Sequence, residues 1–276
     1  MSSRQFRQVD VFTDTPYLGN PLAVVLGADG VSDEQMRQFA NWTNLSETTF
    51  VLPPHADGAD YRVRIFTPTS ELPFAGHPTL GTCHAWLEAG GRPALPGRMV
   101  QECGAGLVTI RQDDAGLAFA APPLLREGPV TGEVAERVAQ ALNISRGDMV
   151  DIVWADNGPG WVAVLLDSAE AVLAIRPGTV GMDIGVAGLY PPGSPEALEV
   201  RAFSGQVSTV EDPVTGSLNA SVAQWLLGSG RLKAPYVASQ GTAMGRRGRV
   251  RISSGDDGQV WVGGSVVTCV SGTVEI

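Results

Sequence analysis

Positive charge is scarce in this sequence. There are 19 Lys and Arg against 29 Asp and Glu, a formal charge of −10 and a pI near 4.7. A nucleic-acid surface needs a basic stripe to meet the phosphates, so these numbers exclude one and point to a small ligand. The one local exception is Arg246, Arg247, Arg249 and Arg251, in a Gly-rich turn followed by an alternating strand, which reads as a solvated strand face. Cysteine is nearly absent: Cys83, Cys103 and Cys269 form an odd set without CxxC spacing, which argues against a disulfide framework. The N-terminus lacks a charged-then-apolar leader pattern, and no apolar run approaches the ~18 residues of a membrane span. A soluble, reduced, cytoplasmic protein with no membrane partner is expected.

What is present is 43% hydrophobic composition over 276 residues, with 34 Gly and 19 Pro spread along the chain rather than gathered in a tract. That suits many short strands divided by turns, and either one large domain or, preferably, two ordinary ones. The chain also repeats itself at a spacing of about 140 residues. Leu22–Leu26 (LAVVL) returns as Val162–Leu166 (VAVLL), and Val63–Phe66 (VRIF) as Val200–Phe203 (VRAF). ELPFAGHPTLGTCHAWLEAG from Glu71 lies over EDPVTGSLNASVAQWLLGSG from Glu211. A fourth block runs from Gln101 through Ile110 and from Gln240 through Ile252. Four blocks in the same order imply two similar α/β halves. The boundaries expected are residues 1–125 and 126–265, with 266–276 a final strand able to return to the first half.

Strand alternation is predicted near residues 5–12, 21–26, 46–52 and 60–67, and a helix from Asp33 to Asn41 behind a Ser32 cap. The third block predicts one helix per half, starting at Gly76-His77 and Gly216-Ser217 and each stopping at a glycine. Both are apolar on nearly every side, so each is expected to be wrapped by strands. A helix start offers free N–H groups and the positive end of the dipole to an anion, and Gly76 and Gly216 permit close backbone approach. If a pseudo-twofold axis relates the halves, the two starts share one cleft, where a carboxylate-bearing substrate can bind.

The strings DVFTDTPYLGNPLAVVL, NLSETTFV, FTPTSELPFAGHPTLGT, EDPVTGS and QGTAMGRRGRV resemble those of the phenazine-biosynthesis PhzF family over essentially the whole chain. The resemblance implies an α/β (α+β) fold like that of diaminopimelate epimerase: two pseudo-symmetric domains, each a mixed sheet rolled around a central helix, in a protein that is usually a homodimer and uses neither metal nor organic cofactor. The epimerase relatives carry a cysteine before each helix-start glycine; here those places hold Ala75 and Thr215, so two-thiol racemisation is not expected. The family instead implies Glu47, in NLSET, as the residue that takes and returns a proton. His77, Asp212 and Ser217 are the polar catalytic residues it implies, and Gly76, Pro78, Thr215 and Gly216 the substrate contacts.

Taken by themselves these residues have plainer readings: Glu47 a solvated strand residue, His77 a cap-region histidine, Asp212 a turn residue before Pro213, Ser217 an N-cap. For Glu47 to serve as a base its carboxyl needs an apolar setting, for which Phe50 and Val51 beside it are the candidates. His77 at a helix start should be held neutral by the dipole. Leu218 and Asn219, where small residues are common in the family, put the pocket shape in doubt. An isomerase of a small unsaturated or cyclic amino or hydroxy acid is the leading expectation. A lyase or epimerase using the same Glu47, or a non-catalytic binder, are the alternatives. A Ser217/His77/Asp212 hydrolase is disfavoured, because no G-x-S-x-G elbow occurs.

Overall fold

In the computed structural model, residues 2–205 and 211–276 are described. The chain divides into two compact units, one of residues 2–120 with 263–276 and one of residues 121–262. The first unit runs β1 (Ser3–Val11), β2 (Asn20–Leu26), α1 (Asp33–Thr43), β3 (Glu47–Leu52), β4 (Tyr61–Phe66), β5 (Glu71–Leu72), α2 (Gly76–Glu88), β6 (Arg98–Cys103), β7 (Gly106–Asp113) and β8 (Gly116–Ala120). The second runs β9 (Arg126–Pro129), α3 (Gly132–Leu142), β10 (Met149–Asp156), β11 (Val162–Leu166), α4 (Ala169–Ala174), β12 (Ile184–Leu189), β13 (Leu198–Phe203), β14 (Glu211–Asp212), α5 (Gly216–Gly228), β15 (Tyr236–Gln240) and β16 (Gly248–Ser254). β17 (Val260–Gly264) leads out of it, and β18 (Val266–Glu275) pairs antiparallel with β1 in the first unit.

The pairing scheme of the first unit recurs in the second. β2 and β3 are parallel, β3 and β4 antiparallel, and β4 carries both the two-residue β5 and the parallel β6. Likewise β11 and β12 are parallel, β12 and β13 antiparallel, and β13 carries β14 and the parallel β15. In each unit one helix lies inside. α2 packs on β1, β2, β3, β6, β8 and β18 and buries every residue from Gly76 to Cys83; α5 packs on β10, β12 and β16 and buries eight of its thirteen residues. The other helices cover the outer faces. α1 seats Met36 and Ala40 against Val25, Phe50 and Phe66, and α3 and α4 place Val138, Leu142 and Val172 against Val162, Val164, Ile184, Val186 and Phe203.

Local chemistry separates the two kinds of helix. Ser32 caps α1 with a full capping box, its hydroxyl accepting the Gln35 N–H while the Gln35 side chain accepts the Ser32 N–H; Thr131 caps α3 by accepting the Val134 N–H. The inner helices have Ala75 and Thr215 at the N-cap, and neither makes a side-chain cap bond. Their far ends close as expected, on Gly90 and Gly230 in the left-handed region, at φ +93° and +71°. No helix is long and apolar enough to cross a membrane among the described residues.

Two expectations need correction in register. Matching Leu22 to Val162 sets opposite faces over one another: Leu22 packs against α2 at Gly81, whereas Val162 packs outward against α3 and α4. The true match is one residue along, Ala23 to Val162, since Ala23 pairs with Thr48 as Val162 pairs with Ile184, and Thr48 and Ile184 pair in turn with Phe66 and Phe203. Apolar strings alone do not show this, because a one-residue slip in a strand buried on both faces leaves the sequence pattern unchanged. Phe50 is also not the apolar neighbour of Glu47: it points outward to Met36 and Phe66, while Thr49, on the Glu47 face, accepts a hydrogen bond from Thr82 of α2. In the arginine-rich segment, Arg249 and Arg251 are half-buried and alternate with buried Val250 and Ile252, and Arg249 pairs with Glu196 at 2.6 Å.

The repeat also places one ion pair twice in different surroundings. Arg64 forks onto both oxygens of Glu71 at 2.7 Å with side chains 20% and 36% exposed; Arg201 forks onto Glu211 at 2.9 and 2.7 Å with side chains 5% and 13% exposed, and also donates to the carbonyls of Val172 and Ile175. Losing one partner leaves a buried charge only in the second case. Urea unfolding should therefore show Glu211→Gln costing about 3 kcal/mol and Glu71→Gln under about 1 kcal/mol; equal costs would refute the burial argument. Gly188 is tight for a different reason: a methyl there would strike the Ser168 carbonyl at the start of α4. Gly188→Ala should lower unfolding stability by roughly 2 kcal/mol, since backbone cannot yield as a side chain does.

Candidate active site

The first unit assembles its polar residues around the start of α2. β3 begins at Glu47 directly after the loop that leaves α1 through Asn44, which stands in the left-handed conformation at φ +54°. Parallel pairing with β2 sets Glu47 beside Leu22, on the α2 side of the sheet. The Glu47 side chain is 14% exposed, and its Oε2 lies 3.3 Å from Nε2 of His77, the second residue of α2, itself 5% exposed. Pro78 follows at the third helical position, where its missing N–H leaves no bond unmade. Asn20 at the head of β2 brings its amide nitrogen to 3.4 Å from the other ring nitrogen, Nδ1. His77 thus stands between a carboxylate on its Nε2 side and an amide on its Nδ1 side. Burial pushes the His77 pKa down to about 3, despite the neighbouring carboxylate. The ring is neutral at physiological pH, as expected, though through desolvation rather than the helix dipole alone.

In the second unit the residues gather at the start of α5. Ser217, the second helical residue, is not the N-cap; Thr215 is. Ser217 Oγ accepts a hydrogen bond from the Trp161 indole at 3.1 Å, and its carbonyl accepts one from the Asn157 amide at 3.0 Å. With its oxygen so engaged, the hydroxyl has its own proton to donate. Asp212, in β14, accepts from the Thr215 hydroxyl through Oδ2. Gly216 is buried and starts the helix. Thus Glu47, Gly76, His77 and Pro78 are brought together in one unit, and Asp212, Thr215, Gly216 and Ser217 in the other.

Several residues of these half-sites escaped sequence reasoning. Asn20 opens β2, Asn157 and Trp161 lie in the β10–β11 connection, and each touches the second residue of the inner helix in its own unit. Corrected register gives Glu47 a counterpart, Asp183: as Glu47 precedes Thr48, Asp183 precedes Ile184, and it is 5% exposed with Oδ1 accepting from Ser204. The local sequences share no motif there, so only strand pairing reveals the match. The cysteines lie elsewhere: Cys83 is mid-helix in α2 and its thiol is pushed up to about 12 by burial, which makes it a small apolar filler.

The chain is similar to known proteins over nearly its whole length. The family model described as phenazine biosynthesis-like protein matches residues 9–272. The Schizosaccharomyces pombe protein named antisense-enhancing sequence 1 is 36% identical over 99% of this chain and 99% of its own length. The trans-2,3-dihydro-3-hydroxyanthranilate isomerase of Pseudomonas aeruginosa is 37% identical over 78% of this chain and 77% of its own. Among solved structures, a Bacillus anthracis phenazine biosynthesis protein of the PhzF family superposes with a TM-score of 0.85 over 100% of both chains at 24% identity, a likeness of fold. A sequence match over nearly the full length, on a chain folded into the same mixed α/β architecture, makes this protein a member of the phenazine biosynthesis-like, or PhzF, family of isomerases.

Proposed function

We propose that this protein moves a proton between carbons of a small unsaturated or cyclic amino or hydroxy acid, with Glu47 as the single proton carrier. The observation that supports this best is the buried contact of Glu47 with a neutral His77 at the open start of α2. The Glu47 carboxylate takes a proton from a substrate carbon, the C–H electron pair shifts through the adjacent double bond, and the carboxylic acid so formed returns the proton to the far carbon. No net charge or electron leaves the substrate. His77, as a neutral ring, can donate or accept one hydrogen bond to the carboxylate or to a polar group of the substrate.

Asp212 and Ser217 are proposed to hold the substrate's amino or hydroxyl and carboxylate groups, with backbone approach at Gly76, Pro78, Thr215 and Gly216. Thiol chemistry is not part of this proposal, because Ala75 and Thr215 precede the helix-start glycines and the Cys83 thiol is held un-ionised. The name of the Pseudomonas aeruginosa relative makes trans-2,3-dihydro-3-hydroxyanthranilate the first substrate to try.

In heavy water, turnover should place deuterium on a substrate carbon, and Glu47→Gln should cut the rate at least about 100-fold while the variant stays folded. Undiminished exchange in that variant would remove Glu47 from the role; ligand-induced thermal stabilisation with no exchange at all would indicate a binder.

His77 gives a second test. Its folded pKa lies below the unfolded value near 6.5, so the unfolded chain binds the extra proton and stability falls as pH drops from about 6.5 toward 3. Between pH 6.5 and 5 this single ring should cost about 2 kcal/mol, a slope that His77→Asn removes. The ring's NMR signals should stay in the neutral position over the same range; titration near 6.5 would contradict a buried neutral histidine.

A further inference from the structure

We infer that Gln240 is a positioning residue, which fixes the direction of the Thr215 hydroxyl and through it the Asp212 carboxylate at the start of α5. Gln240 is the last residue of β15 and is fully buried. Its Oε1 accepts the Thr215 backbone N–H at 2.9 Å and the Asn219 amide at 2.7 Å, while its Nε2 donates to Thr215 Oγ1 at 3.0 Å and to the Asp212 carbonyl at 3.2 Å. Both ends of this amide are pinned by groups with one possible role: a backbone N–H can only donate and a backbone carbonyl can only accept. The amide therefore cannot be turned round. Thr215 Oγ1 must accept from Gln240, and the one hydroxyl proton of Thr215 goes to Asp212 Oδ2. Asn219 closes the clamp by also donating to the Thr215 carbonyl at 2.9 Å. This fixes the N-cap residue of α5 from outside the helix, and it delivers a carboxylate in a set orientation beside the helix start.

The first unit shows what the clamp does without that cargo. Gln101, also fully buried, accepts from the Tyr61 hydroxyl at 3.2 Å and donates to Thr79 Oγ1 at 3.0 Å, and Thr79 donates to the Ala75 carbonyl at 2.9 Å. There the chain of bonds ends on backbone. The difference follows from register: Gln101 stands beside Tyr61 in β4, but Gln240 stands beside Val200 in β13, two residues further along once Phe66 and Phe203 are matched. Those two residues bring Gln240 within reach of the N-cap itself. The two glutamines match in sequence but hold different things.

The inference rests on the proposed role of Asp212, and two measurements separate its failure from failure of that reading. The first follows turnover of trans-2,3-dihydro-3-hydroxyanthranilate. Gln240→Glu keeps the shape but supplies an acceptor where a donor is needed, so it competes with Asp212 for the Thr215 proton. It should lower kcat/KM about tenfold in the parent protein and by less than about twofold in an Asp212→Asn background, and Thr215→Val should behave the same way. Full, additive losses in the Asp212→Asn background would overturn the inference, because they would show a general structural role.

The second measurement needs no substrate. Amide hydrogen exchange at Thr215 should quicken at least about tenfold in Gln240→Met, with the amides from Ala220 to Leu226 unchanged, and stay protected in Gln240→Glu, whose carboxylate still accepts. Unaltered exchange at Thr215 in Gln240→Met would also overturn it. A parent protein that does not turn over the probe counts against the proposed function and leaves the exchange result to decide the clamp.

Discussion

Each unit depends on one constraint: the start of every helix must be fixed, whether the helix covers an outer face or is enclosed by strands. The outer helices α1 and α3 solve this with Ser32 and Thr131. The inner helices α2 and α5 begin on glycines and make no side-chain cap bond. Support comes instead from the neighbouring strands, through Gln101 on Thr79 and Gln240 on Thr215 and Asn219. The helix start is thus held from the side by strand side chains.

On this common frame the two halves have diverged in chemistry. Where the first places Glu47 and His77, the second places Asp183 and Ser217, with Trp161 turned onto the serine. Glu47 contacts a neutral imidazole, whereas Asp183 accepts from the Ser204 hydroxyl. The carboxylate poised at the second helix start is a different one, Asp212, tied to Thr215. A duplicated fold therefore carries a carboxylate against an imidazole in one half and a carboxylate against a hydroxyl in the other. The same divergence appears in the paired ion forks, Arg64–Glu71 being half-exposed and Arg201–Glu211 buried.

Much of this was legible before any coordinates. The repeat of VRIF as VRAF and of ELPFAGHP over EDPVTGSL located β4 and β13 and both inner helices, because turn residues and helix-start glycines are local signals. Ser32 and the glycines at 90 and 230 marked helix ends for the same reason. Strand register was not legible: LAVVL and VAVLL are apolar at every position, so their pattern does not fix the offset, and only pairing with β3 and β12 shows that Ala23 matches Val162. Asn20, Asn157, Trp161 and Asp183 were missed because their partners lie 57, 60, 56 and 21 residues away, beyond any spacing rule.

The amino-acid sequence by itself determined the doubled α/β plan, the two glycine-led helices, the absence of thiols at their starts and the family whose motifs Glu47, His77, Asp212 and Ser217 belong to. Those features rest on neighbours in the chain, where backbone preference and hydrophobic period act directly. Only the tertiary structure decided that Glu47 faces α2 while Phe50 faces away, that His77 is neutral because it is buried, and that Gln240 orders Thr215 and Asp212. Burial and hydrogen-bond direction are properties of which strands meet, and a strand that slips by one residue exchanges both of them.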